Sequence, residues 1–291
     1  NDEALKMYAD IVERNPEDSA AYYGYANSLL AAWRESGDHA MLEQAKAMAI
    51  KAADIDPVVW KPLFALATMY WYDGKVAEAI KVSEAARARD ENEYVLANLG
   101  SFYLCDGAFE KALEAYQVAQ QLAPQSYVGD EFLGMAYYFL GDYERSAILR
   151  QRAISKVSTG EPEIHEMWGN LADAYRMAGN NKAAISAYHR AAEIAERDYL
   201  RGTQPAADQA ARAWYYTALA SLDPASVPAA VSHSIDEDLD RIAGEVSEAT
   251  AHRKMAQTYM MRGEMDKARA AIDRGSSVCK GYRQMPDLAG L

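Results

Sequence analysis

Six glycines divide most of this chain into units of nearly equal length. Gly37, Gly74, Gly107, Gly141 and Gly179 follow one another at intervals of 37, 33, 34 and 38 residues, and Gly263 comes 84 residues after the last of them. That wider gap leaves room for one further, degraded unit. Each glycine is flanked by the same phrase, an apolar helix pattern ending in Tyr before it and an Ala-spaced helix pattern after it. A single helical hairpin of this size cannot bury both its apolar faces. A fixed period of this kind therefore requires the hairpins to stack, with stability close to a sum over neighbours. The expectation is an all-α solenoid. Composition agrees, because Ala is abundant and runs rich in Val, Ile and Thr are missing, and Ala favours helix where β-branched residues favour strands.

Inside the units the same positions recur. The unit at 165–198 carries Trp168, Leu171, Ala172, Tyr175, Ala184, Tyr188 and Ala191. The unit at 93–126 carries Leu96, Leu99, Gly100, Tyr103, Ala112, Tyr116, Ala119 and Pro124. Residues 60–92 supply Leu63, Leu66, Ala67, Tyr70, Ala79 and Ala86. Residues 127–164 supply Leu133, Gly134, Tyr137, Tyr143 and Ala153, with Ser146 in place of an expected Ala. Residues 249–281 supply Met255, Ala256, Tyr259, Ala268 and Ile272. This set resembles the pattern W-x2-L-G-x2-Y…A-x3-F…P of the tetratricopeptide repeat over nearly the whole chain. The resemblance implies a right-handed α-solenoid in which small residues such as Gly100, Gly134 and Ala172 admit close helix approach and large ones fill the space between hairpins.

On this reading residues 1–18 hold only the second helix of a hairpin (Ala4, Tyr8, Ile11, Pro16), which suggests a longer parent chain. The array then runs from 19 to 281 in about seven units: 19–59, 60–92, 93–126, 127–164, 165–203, a degenerate 204–248, and 249–281. The 19–59 unit is expected to hold a long loop from Trp33 to Met41, and 158–164 to form an inserted loop. In the degenerate unit, Trp214, Tyr215, Ala218 and Leu222 suggest one helix and 229–246 a second. The tail 282–291 follows no repeat pattern.

Two phrases resemble a narrower group, the C-terminal repeat arrays of bacterial signalling regulators of kinase, cyclase or winged-helix type. One is the early stretch Glu35 to Leu42; the other is the closing set Gly281, Tyr282, Pro286, Asp287 and Leu288. The resemblance implies a protein- or peptide-binding scaffold that senses or recruits a partner. The alternative is a structural array that self-associates or packs against its own chain with no external peptide.

The formal net charge of −13 argues against nucleic acid as a partner, since that binding neutralises phosphates with Lys and Arg. No apolar run approaches the length of a membrane span, so direct membrane insertion of these residues is not expected. The compartment expected is the cytoplasm, or the periplasm for a membrane-anchored parent. Cys105 and Cys279 lie far apart and have no metal-ligand spacing, which suits two buried thiols. Phosphate-loop and dinucleotide motifs are missing, and His165-Glu166 lacks the second His of a zinc helix, so His165 reads as an ordinary polar residue opening a helix. Asp236, Glu237, Asp238 and Asp240 read mainly as a solvated helix face. No catalytic residue, cofactor or metal is expected.

In tetratricopeptide arrays partners usually bind on the concave surface formed by the first helix of each hairpin. The candidate peptide-binding residues there are Tyr23, Asn27, Phe64, Thr68, Trp71, Tyr72, Asn98, Ser101, Met135, Tyr138, Phe139, Asn170 and Arg176. Their aromatic and Met content suits an apolar peptide with a few dominant anchors, or else a chain segment lying in the groove. Lys61, Arg176 and Arg253 fall in separate units, which argues against one basic cluster that clamps a carboxylate.

Overall fold

The computed structural model describes residues 2–157, 163–200, 206–243, 249–288 and 291. Among these every regular element is helical. Helix α1 (Asp2–Arg14) precedes five hairpins: α2 (Ser19–Ser36) with α3 (His39–Ile55), α4 (Lys61–Tyr72) with α5 (Val76–Arg89), α6 (Glu93–Asp106) with α7 (Phe109–Leu122), α8 (Val128–Phe139) with α9 (Tyr143–Lys156), and α10 (His165–Met177) with α11 (Asn181–Tyr199). Then come α12 (Ala206–Leu222), α13 (Ala229–Ile242), and a last hairpin, α14 (Ala249–Met261) with α15 (Met265–Val278). Each hairpin packs on the next, which makes an α-solenoid. The chain ends in two 3₁₀ turns, Lys280–Gln284 and Pro286–Leu288.

The periodic glycines close the hairpins. All six have φ between 70° and 84°, and among the described residues no other residue type has positive φ. At Gly107 the backbone N–H donates to the Leu104 carbonyl, and the next N–H, of Ala108, reaches back 2.8 Å to the Tyr103 carbonyl. The same second bond joins Lys75 to Tyr70, Asp142 to Tyr137, Asn180 to Tyr175 and Glu264 to Tyr259. This is the left-handed helix stop that only Gly accepts without strain.

Within a hairpin, small faces large. A Cβ on Gly100 would collide with the fully buried ring of Tyr116. Ser146, the departure from Ala, donates 2.7 Å to the Gly134 carbonyl, so its buried hydroxyl is satisfied.

Three expectations change. The long loop from Trp33 to Met41 is only Gly37 and Asp38, because α2 and α3 each extend to bury Trp33 and Leu42, and Asp38 caps α3 through the Ala40 N–H at 3.0 Å. The helix expected over 229–246 stops at Ile242, with 244–248 outside the described residues. Most of the inserted loop, 158–162, also lies outside them. The acidic run on α13 is not simply a solvated face. Asp238 is buried and takes Arg212, itself buried, at 3.2 Å, while Asp236 pairs with Arg262 at 2.6 Å. A buried guanidinium needs such partners: Arg212 also donates to Glu196 and Ser234.

Candidate functional site

The tail decides the shape of the groove. Leaving α15, the chain crosses the glycine turns of three earlier hairpins in order. Cβ atoms added to Gly74, Gly107 and Gly141 would meet Val278 at 3.6 Å, Gln284 at 3.2 Å and Pro286 at 3.6 Å. Gly281 lies so close to α6 that a Cβ would stand 3.1 Å from the Leu104 carbonyl carbon and nearer still to its oxygen. Tyr282 sets its ring 6.3 Å from that of Phe139. Asp287 is buried and accepts from Tyr138 Oη at 2.9 Å and from Gln257 Nε2 at 2.5 Å. Met285 and Leu288 are buried beside it, and one apolar cluster runs from Leu104 on α6 to Leu288 in the tail. The last hairpin is thus buckled back onto the middle of the array.

The buckle also brings the two cysteines together. Cys105 Sγ lies 3.6 Å from the Val278 carbonyl oxygen, and Cys279 is the next residue. Both thiols are free and buried. Burial, with Cys105 alongside, pushes the Cys279 thiol far up, so it is not a reactive thiolate.

The expected peptide-binding residues separate into two groups. Tyr23 and Asn27 on α2, Phe64, Thr68, Trp71 and Tyr72 on α4, and Asn98 and Ser101 on α6 are all half-buried and keep part of their surface open. Asn98 Nδ2 donates to Thr68 Oγ1 at 3.1 Å, which ties α6 to α4 across the groove floor. Trp71 packs its ring in tilted contact with those of Tyr72 and Phe102, at 5.2 Å and 6.1 Å, and its indole N–H is buried without an acceptor among the described residues. Ser101 Oγ bonds Tyr116 Oη at 3.1 Å. By contrast, Tyr138 and Phe139 are buried under the tail, the occupation by a chain segment that the sequence left open.

Met135, Tyr138, Phe139 and Asn170 line a cavity of about 250 Å³ bordered by α8, α9, α10, α12, α14 and the tail. Its charged groups come from five positions that share no sequence motif: Arg150, Glu166, Asp173, Asp208 and the adjacent pair Arg253 and Lys254. Asp173 is the hub. Its Oδ1 accepts from Tyr188 Oη at 2.5 Å and Trp214 Nε1 at 2.7 Å, and its Oδ2 takes Lys254 Nζ at 2.8 Å. Burial alone would raise this carboxyl, yet Lys254 and Arg176 hold it below the usual carboxylate value. For Lys254 burial dominates and draws the ammonium down to about 8, against the pull of Asp173.

Arg176 and Arg253, expected to be too far apart to act together, both bear on Tyr138 and on Asp173. Curvature and the buckle converge units that sequence distance keeps separate. His165 is likewise more than a polar residue at a helix start. It is buried, its Nδ1 sits 3.2 Å from Tyr215 Oη, and its ring lies between Glu166 at 3.5 Å and Asp208 at 3.8 Å. Burial and Glu166 raise the Asp208 carboxyl, with His165 opposing them. These three residues offer ligand atoms within 4.8 Å of one another, as do His39, Glu43 and Asp73. At the latter set Lys46 and Lys75 already occupy the Asp73 carboxylate, at 2.7 Å each.

Among the described residues no helix is long and apolar enough to cross a membrane. The profile of the tetratricopeptide repeat matches residues 1–53, 64–127 and 133–199, more than half of the chain. No curated protein matches the sequence. Among solved structures, the chain resembles a chain of the APC/C hetero-tetramer Cut9–Hcn1, with 18% identity, a TM-score of 0.63, and coverage of 94% of this chain and 46% of that one. It therefore spans about half the length of that relative. Pseudomonas aeruginosa pilF is 20% identical with a TM-score of 0.54, over 87% of this chain and 95% of its own. Human IFIT1, solved as a dimer with PPP-AAAA, is 19% identical with a TM-score of 0.57, over 94% of this chain and 67% of its own. Each of these likenesses is one of fold.

Proposed function

The chain belongs to the tetratricopeptide repeat family, and from that premise we propose that it is a protein- or peptide-binding scaffold whose working surface is the front of the concave groove, on α2, α4 and α6. The observation that carries this reading is the division of the groove aromatics. The tail holds Tyr138 and Phe139, whereas Tyr23, Phe64, Trp71 and Tyr72 remain partly open on the neighbouring first helices. Rigid aromatic side chains presented from packed helices bind apolar peptide segments at little entropic cost. Asn27, Thr68, Asn98 and Ser101 stand among them and offer polar contacts to a peptide backbone.

The finer reading is a sensing or recruitment module of a bacterial regulatory protein, acting in the cytoplasm or, for an anchored parent, the periplasm. Its support is the closing set Gly281, Tyr282, Pro286, Asp287 and Leu288, all of which lie against the array in the buckle. Division of the array into about seven units, with 204–248 degenerate, belongs to the same proposal. A second reading is favoured by the buckle itself: a groove partly filled by its own tail suits an intramolecular or self-associating array.

The test is selection of displayed peptides on the intact protein, followed by affinity measurement on Phe64→Ala and Tyr72→Ala. The front-groove reading expects at least a tenfold loss with helicity unchanged. Equal binding to both variants would sink it, and light scattering that shows concentration-dependent dimers would favour the second reading.

A further inference from the structure

The cavity behind the buckle has charges of both signs at two distinct places. At one place Arg253 and Lys254 adjoin on α14. Among the described residues Arg253 has no hydrogen-bond acceptor and no carboxylate within 4.0 Å, and its Cζ lies 5.9 Å from the centre of the Tyr282 ring. None of its nitrogens is among the fully enclosed unsatisfied atoms, so its donors face open space. Lys254 has one carboxylate, Asp173, which is already shared with Tyr188 and Trp214. A guanidinium drawn this far inside, beside a second cation and with its donors free, is matched to an anion that the protein does not itself supply.

At the other place Glu166 and Asp208 open α10 and α12 and flank His165, and among the described residues no Lys or Arg lies within 4.0 Å of either carboxylate. The two places have different neighbours. Arg253 feels Tyr282, Asp287, Asp173 and Tyr138, whereas Asp208 feels His165 and Glu166 and, more weakly, Arg34 and Asp198. Tyr215 lines the same cavity. The same lining includes the apolar side chains of Met135, Phe139 and Met285. At about 250 Å³ the space suits one amino-acid-sized molecule.

We infer that this cavity is a binding site for a small zwitterion, a molecule with one carboxylate, one primary ammonium and a short apolar body. The carboxylate pairs with Arg253 and Lys254. The ammonium lies between Glu166 and Asp208, and the apolar part rests on the methionine and aromatic wall. Because Tyr282 and Met285 of the tail form part of that wall, occupancy tightens the buckle. The inference goes beyond the scaffold reading and rests on different residues, so peptide capture through Phe64 can fail without touching it.

Titration calorimetry on the intact wild-type chain tests it, with L-leucine and 6-aminohexanoate as closely and widely spaced zwitterions. N-acetyl-leucine removes the ammonium, isopentylamine removes the carboxylate, and sulfate and Zn²⁺ serve as lone ions. The expected result is saturable binding of at least one zwitterion. The matching single-charge analogues should bind at least tenfold more weakly, and Arg253→Gln and Asp208→Asn should each lose at least tenfold. The ligand series is decisive on the wild-type protein even if a variant does not fold. Absence of zwitterion binding at millimolar concentration overturns the inference. Equal affinity for N-acetyl-leucine or sulfate overturns it in favour of a plain anion site. Saturation by Zn²⁺ with loss on His165→Gln, and no zwitterion binding, overturns it in favour of a metal site.

Discussion

Replacing Gly281 by Ala asks how much the buckle contributes. The new Cβ would stand 3.1 Å from the Leu104 carbonyl carbon and closer to its oxygen, and these are backbone atoms of a packed helix that cannot swing aside. Ordinary carbon contacts lie at about 3.5–4.0 Å, so the tail must retreat by roughly 1 Å. A retreat of that size carries the 2.9 Å bond from Tyr138 to Asp287 beyond hydrogen-bond range. The lost bond and the poorly paired buried carboxylate cost about 1–3 kcal/mol, and overpacking a close contact costs a further ~1–3 kcal/mol. Taking about 3 kcal/mol in all, local opening of the tail becomes roughly a hundredfold more frequent, at about 1.4 kcal/mol per factor of ten. Amide exchange of residues 278–288 and thiol labelling of Cys105 and Cys279 read that opening directly. In the wild-type protein both thiols are buried and should resist labelling. In Gly281→Ala they should label about a hundredfold faster, while amides of α2 and α3 keep their protection. Unchanged labelling and exchange would show that the contact with Leu104 does not hold the tail, and the argument from close approach would be wrong.

Other outcomes follow from the buried charges. Asp173→Asn removes the charge that compensates Lys254, so denaturant unfolding should show a loss of about 3–5 kcal/mol, and a loss under 1 kcal/mol would contradict the hub role. Lys254 has its ammonium drawn down to about 8 in the folded chain, from 10.5. Between those values the unfolded chain binds more protons, so this residue's contribution to stability grows as pH rises. The stability of wild type relative to Lys254→Met should therefore increase from pH 8 to pH 10, and a flat difference would refute it. Asp130 behaves oppositely. Burial pushes its carboxyl up, but Arg152, Lys156 and Gln120 outweigh burial and hold it below 3.8. Its contribution is present above that pH and lost as pH falls below it, so Asp130→Asn should flatten the acid limb of a stability–pH curve.

Much of the front of this molecule could be read directly from residue order. Tyr70, Tyr103, Tyr137, Tyr175 and Tyr259 each stand four residues before a glycine, and each lends its carbonyl to the bond that stops the helix. Gly100 opposite Tyr116 is a contact sixteen residues apart, inside one hairpin. The helical period likewise places the candidate residues on α2, α4 and α6 on one face of each helix, and their binding role is the proposal made above. The cavity was not legible. Lys254 meets Asp173, and Arg253 shares Tyr138 with Arg176, across several hairpins and without any common motif. One signal could have raised suspicion: Arg253 and Lys254 sit side by side on a helix, directly before Met255 and Ala256 of the packing pattern.

What residue order determined by itself is the repeating hairpin, because its hydrogen bonds and packing contacts are local and every unit states them again. Tertiary structure alone decided that the array closes on itself, that the tail takes the groove over Tyr138 and Phe139, and that six charged groups meet around one cavity. The physical reason is accumulation. Each unit adds a small rotation that no single unit encodes, and after several units that sum sets which distant side chains face one another.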